Sequence, residues 1–146
     1  MKINNIIELS FKIKFCDISL GKSVIECNDT PGFIANRMAV FWMLNAAVEA
    51  LESKLSVEEA DQIIMQTFNS PKTGVFGLID LVGLDIVPPI LGSLLNNLPK
   101  YDEYNDIQDI PDIFRYMLSQ KMFGRKSNGG FYKLDKINGK NTKHST

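Results

Sequence analysis

Residues 28–50 read NDTPGFIANRMAVFWMLNAAVEA, a turn running into a long apolar helix. Thr30 is a natural N-cap, and Pro31 suits the first helical position, where a missing N–H removes no hydrogen bond. Ile34, Met38, Phe41, Trp42, Asn45 and Val48 recur at spacings of three and four, which predicts one broad stripe turned toward a core. Asn36 and Arg37 fall close to the predicted helix start. Unpaired N–H groups and the helix dipole there favour an oxygen-rich ligand. A polar Asn on an amphipathic helix is ordinarily solvated or structural, so the pattern alone leaves both readings open.

Upstream, Ile7, Leu9, Phe11, Ile13 and Phe15 alternate with Glu8, Ser10, Lys12 and Lys14, which predicts a half-buried strand. FCDISLGK (residues 15–22) reads as a helix end stopped by Gly21, and SVIEC (residues 23–27) as a short β-prone run. Downstream, Ser56-Val57-Glu58-Glu59 is a capping box, a structural signal that argues against reading Glu59 as a catalytic acid. Ala60, Ile63, Ile64 and Phe68 supply the apolar face of the helix that follows, and Asn69-Ser70-Pro71 ends it.

The run from Gly74 to Leu95 is apolar on nearly every side, which implies burial by neighbours, and Pro88 and Pro89 predict a kink or a restart. Asp80, Asp85 and the two prolines make it a buried helix pair and not a membrane span. Residues 100–109 (KYDEYNDIQD) form an acidic connecting loop of the solvated kind. Pro111 or Asp112 opens a last helix with Ile113, Phe114, Met117 and Leu118 on its buried stripe and Gly124 as its stop. Arg125 and Lys126 beside a glycine-rich turn suggest a phosphate cradle. Charge complementing a helix C-terminus is the better reading, because no nucleotide-binding strand precedes them. Residues 137–146 are polar and are expected to fray.

The whole composition is that of an ordinary soluble domain: 146 residues, 45% hydrophobic, 23% charged and a formal net charge of −1. That balance gives no case for nucleic acid or an anionic membrane as partner. Cys16 and Cys27 suggest neither a disulfide framework nor a zinc site, no metal-ligand spacing is present, and a reducing cytoplasm is expected. Asn4, Asn5 and Glu8 interrupt any signal-peptide core.

Three segments, in order, carry a family resemblance. Residues 29–37 (DTPGFIANR) resemble the signature that opens the C-terminal helical domain of the 3-hydroxyacyl-CoA dehydrogenases. Residues 74–85 (GVFGLIDLVGLD) look like that family's glycine-punctuated "LLDLVGLD" block, and residues 124–132 (GRKSNGGFY) like its closing "GRKTGxGFY" block. One departure is Thr73-Gly74-Val75-Phe76, where the commoner family pattern is Met-Gly-Pro-Phe. The resemblance implies an all-α helical bundle over residues 29–136, like the C-terminal domain of the 6-phosphogluconate dehydrogenase-like and 3-hydroxyacyl-CoA dehydrogenases. Before it, residues 1–28 would be a remnant of the preceding nucleotide-binding domain or an unrelated start, with some β character. Residues 137–146 would be a polar tail.

The family oxidises a 3-hydroxyacyl-CoA to the 3-oxoacyl-CoA, passing hydride to NAD; a His–Glu pair and a Rossmann domain do this, and both lie upstream of the matched region. Here no G-x-G-x-x-G follows a strand, the one histidine is His144 in the polar tail, and the 17 acids form no recognisable pair. No catalytic, cofactor-binding or metal-binding residue is therefore assigned in this chain, and NAD is expected only in the complete enzyme. Relationship to 3-hydroxybutyryl-CoA dehydrogenases would allow NADP instead. Asn36, the Asn of the family's "NR" dipeptide, is the one site residue the resemblance carries over. In the family it hydrogen-bonds the substrate near the reacting oxygen. The expected partners are an acyl-CoA substrate in the complete enzyme, a separately supplied nucleotide-binding domain and a second copy of the chain. A non-catalytic assembly module or a decayed gene fragment is the alternative.

Overall fold

The start of the long helix is set by a tight turn and not by the Thr30 cap. In the computed structural model, which describes residues 3–68, 72–107, 110–127, 129–137 and 140–145, the Phe33 N–H donates to Thr30 O at 2.9 Å. Gly32 and Phe33 both have positive φ, 76° and 48°, which no right-handed helix accommodates. Helix α2 therefore spans Ala35–Glu52, starting after the turn. Its buried residues are Val40, Met43, Leu44, Ala47 and Ala50, one step round the helix from the predicted stripe. Ile34 and Met38 are exposed, and Phe41 and Trp42 are half-buried. The helix is apolar on more than one face, so spacing alone could not choose the core-facing one.

Helix α3 (Val57–Phe68) opens on the predicted capping box. The Ser56 N–H and hydroxyl both donate to the Glu59 carboxylate, at 2.9 and 2.7 Å, and the Glu59 N–H donates back to Ser56 Oγ at 3.3 Å. Those bonds hold the Glu59 carboxyl below its ordinary pKa, the backbone N–H contributing most. Ala60, Asp61 and Ile64 are buried, but Ile63 and Phe68 lie exposed, again off the predicted face. The Asn69-Ser70-Pro71 stop lies outside the described residues.

Helix α4 (Gly74–Val82) and helix α5 (Val87–Asn97) are the restart that the prolines predict. Pro88 and Pro89 occupy the first turn of α5, where their missing N–H groups need no partner. A 3₁₀ turn at Leu84–Ile86 leads into α5, and the chain bends by 77° between the two helices. No single helix among the described residues is long and apolar enough to cross a membrane. Helix α4 packs against both α2 and α3, and α5 against α2. Helix α6 (Asp112–Ser119) closes the core with Phe114 and Met117, ending five residues before Gly124 at a turn where Lys121 has φ 56°. Phe131 then packs between Phe76 and Phe114 in tilted, edge-to-face contacts, with ring centroids 4.8 and 5.3 Å away.

The two chain ends depart from expectation in opposite directions. Residues 3–14 form helix α1 (Ile3–Lys14), continued by a π-helical turn at Phe15–Ser19, where the alternating pattern predicts a strand. A strand needs a neighbour for its backbone N–H and C=O groups, whereas a helix satisfies them internally. The same residues also place Phe11 and Phe15 four apart, stacked at 6.5 Å, and Glu8 and Lys12 in an i,i+4 ion pair at 2.7 Å. The β character expected of residues 1–28 is therefore not found among the described residues 3–28, which contain no strand. SVIEC has no regular secondary structure, is exposed, and joins no sheet among the described residues. At the other end, strands β1 (Tyr132–Ile137) and β2 (Lys140–Ser145) pair antiparallel, so residues 140–145 form a hairpin arm where fraying is expected.

Candidate functional site

Asn36 and Arg37 sit side by side on the first turn of α2 and do different things. Arg37 turns inward: its guanidinium pairs with the Asp102 carboxylate, and its carbonyl accepts the Tyr104 hydroxyl. Asp102 also accepts the Tyr104 N–H at 3.1 Å, capping a 3₁₀ turn at Glu103–Asp106. Tyr104 is buried against Phe41, with centroids 5.2 Å apart. Burial raises the pKa of its phenol, which keeps it a donor. The acidic loop expected to be merely solvated is therefore anchored to the helix start through Arg37. Asn36 is exposed, and is held in place by its neighbour's bonds and not by its own.

Two depressions flank this anchor and share Phe41 and Glu103. One, of about 180 Å³, is lined by Arg37, Met38, Phe41, Asp102, Glu103 and Tyr104. The other, of about 510 Å³, includes Asn45, Val48, Asp106 and Ile107. Asn36 lines neither. Its amide offers both a donor and an acceptor to solvent beside a helix N-terminus, which suits contact with a carbonyl or thioester oxygen. No general base faces it among these residues, since Asp102 is committed to Arg37 and the Tyr104 N–H. His144 lies in β2, paired by backbone register with Lys133.

The residues most highly organised by the fold are two buried aspartates that sequence reasoning passed over as functional groups. Asp61 accepts the N–H groups of Phe76 and Gly77, at 2.8 and 3.0 Å, and the Tyr132 hydroxyl at 2.8 Å. A carboxylate from α3 thereby satisfies orphan donors at the start of α4. Gly74 must be glycine here, because it has φ 67° and a Cβ would overlap the Asp61 side chain. Asp80 accepts the Phe131 and Tyr132 N–H groups at 2.9 and 2.8 Å, and its carbonyl accepts the Arg125 N–H at 2.9 Å. A Cβ on Gly130 would overlap the Asp80 carboxylate. For Asp80 the signal was present, a lone acid in the apolar run GVFGLIDLVG; Asp61, beside Glu58, Glu59 and Gln62, gave none.

This geometry tests the fit of a dinucleotide. The glycine-rich turn at 124–130 is the feature closest to a phosphate cradle, and its next two N–H groups already hold the Asp80 carboxylate. Lys126 is paired with Asp85 at 2.5 Å. Among the described residues, that turn's lysine and the N–H groups that follow it are thus engaged with Asp85 and Asp80 and do not form a phosphate cradle. Nor do any three of the described His, Cys, Asp or Glu residues group to hold a metal ion.

Comparison with known proteins agrees with this architecture. The profile of the 3-hydroxyacyl-CoA dehydrogenase C-terminal domain matches residues 32–134. A Rickettsia prowazekii protein, provisionally named a fatty acid oxidation complex trifunctional enzyme, is 44% identical over 85% of this chain and 17% of its own length. The mitochondrial hydroxyacyl-coenzyme A dehydrogenase of Rattus norvegicus is 33% identical over 83% of this chain and 37% of its own. Among solved structures, Mycobacterium tuberculosis FadB2 superimposes with a TM-score of 0.74 at 28% identity, over 86% of this chain and 42% of that protein. The chain thus spans well under half the length of these relatives, and the part it spans is the helical one. Three ordered motifs, the helical bundle built on them and the match across residues 32–134 all agree: this chain belongs to the 3-hydroxyacyl-CoA dehydrogenase family, through its C-terminal domain.

Proposed function

We propose that this chain supplies the helical, substrate-facing part of a 3-hydroxyacyl-CoA oxidation and does not carry out that oxidation by itself. The observation that carries the reading is the division of labour on the first turn of α2. Arg37 locks the helix start to Asp102 and Tyr104, so that Asn36 is presented to solvent from a fixed backbone. In that role the Asn36 amide donates to the oxygen of an acyl-CoA where charge develops. In this reading the base and the hydride acceptor come from a nucleotide-binding domain supplied separately, since Asp102, the acid nearest Asn36 on this helix start, is committed to Arg37 and the Tyr104 N–H.

The test is NADH formation from a 3-hydroxyacyl-CoA by the purified chain, alone and mixed with a nucleotide-binding domain from a relative. No turnover is expected from the chain alone. Turnover in the mixture should fall by about 10²-fold on Asn36→Ala, with the melting temperature unchanged. Turnover by the chain alone that disappears in that variant overturns the proposal. A stable mixed complex without turnover identifies an assembly module instead, and neither binding nor turnover identifies a gene fragment.

A further inference from the structure

Helices α2 and α6 end in the same way and at the same cavity. After α2 the Lys54 N–H donates to Leu51 O and the Leu55 N–H to Ala50 O, both at 3.0 Å. After α6 the Lys121 N–H donates to Leu118 O at 3.1 Å and the Met122 N–H to Met117 O at 2.9 Å. Such paired returns put one residue beyond each helix in the left-handed region, where glycine is the usual occupant. Here both positions are lysine, each with φ 56°, and Phe33 is the one other non-glycine residue with positive φ among the described residues. A cation near a helix C-terminus complements the dipole, but any position of the last turn gives that benefit without the strain. Two lysines at the strained position point to a further role.

The residues that follow them, Leu55 and Met122, both line a cavity of about 450 Å³ between the ends of α2 and α6. Phe76, Met117 and Phe131 line it from the core side and are buried. Leu51, Ile113 and Tyr116 line it at the surface, 41%, 41% and 59% exposed, and form its mouth. No charged residue is among its walls. The volume falls within the range of small-molecule sites, and methionines on one wall suit a flexible chain. Lys54 and Lys121 are exposed, each next in sequence to a wall residue, and neither has an ion pair among the described residues. Neutral apolar walls edged by two free cations complement one kind of molecule, an apolar tail with an anionic head.

We infer that this cavity binds a medium-chain carboxylate, with its tail against Phe76, Met117 and Phe131 and its carboxylate at Lys54 and Lys121. Asn36 lies about 22 Å away along α2, so the site is separate from the proposed substrate contact and independent of that reading. Methionine-methyl NMR of the full chain at low salt tests it, with decanoate as the probe. The Met117 and Met122 methyls should shift together and saturate, and affinity should rise about threefold per methylene from hexanoate to decanoate. Decanol and decyltrimethylammonium should bind there about 10-fold more weakly, since an exposed ion pair contributes roughly threefold for each lysine. Lys54→Gly and Lys121→Gly relieve the left-handed backbone. Each should keep or raise the melting temperature, weaken decanoate about threefold and leave decanol binding unchanged. Asn36→Ala should leave decanoate binding as it is. Shifts centred on Met38 or Met65 instead, equal affinity for decanol, or indifference to both glycine variants would each overturn the inference. So would decanoyl-CoA binding there as tightly as decanoate, because a thioester tail would then be the ligand and not a free carboxylate.

Discussion

Asp61, Asp80 and Arg37 show how single charged residues organise this domain. Each aspartate is 2% exposed and holds backbone N–H groups across a long stretch of chain, from α3 to α4 and from α4 to the closing segment. Burying a carboxylate is tolerated only with such partners, and removing one leaves donors unsatisfied. Asp80→Asn offers one acceptor oxygen where two N–H groups now bind. It should cost about 2–4 kcal/mol in urea unfolding and release Phe131 from its edge-to-face contacts with Phe76 and Phe114. Tyr132 gives a pH-dependent counterpart. Burial, followed by its bond to the Asp61 carboxylate, raises the pKa of its phenol far above the ordinary value. A raised folded pKa contributes stability that is complete below the unfolded pKa of about 10 and is lost as pH rises beyond it. Wild type should therefore lose stability steeply above about pH 10, and Tyr132→Phe should flatten that alkaline limb while costing about 1–2 kcal/mol near neutrality. Thermal melts across pH 7–11.5 would measure both.

At the scale of elements, some local signals held, while the Thr30 cap, the Gly124 stop and the facing of helices did not. The capping box, the proline restart of α5 and the opening of α6 at Asp112 involve neighbours within four residues, so the sequence displays them directly. Ser56→Ala should lower stability by about 1 kcal/mol, measured by urea titration. The depressed folded pKa of Glu59 contributes stability above its unfolded value near 4.3, lost as pH falls through the folded one. That acid-linked part should shrink in the variant. Which face of α2 enters the core was not legible, because α2 carries further apolar residues, among them Phe41, Trp42 and Ala46, that line surface depressions. The α1 segment misled for a related reason: its alternating residues also satisfy a four-residue spacing, and the absence of a neighbouring strand decided between the two.

For the whole molecule, the bundle from α2 to Tyr132 should be stable without the preceding segment, since residues 8–20 include none that is buried. A chain shortened to begin at Lys22 should melt within a few degrees of the full chain at low protein concentration. What the sequence determined by itself is the helical class and the family, because those rest on local chemistry and on ordered motifs. The tertiary structure alone decided that the glycines of the closing motif make room for Asp80, that the acidic loop belongs to Arg37, and that Asn36 stands exposed. Each of those bonds joins residues between about 50 and 70 positions apart. No local pattern encodes a pairing over that distance; it follows only once packing has brought the helices together.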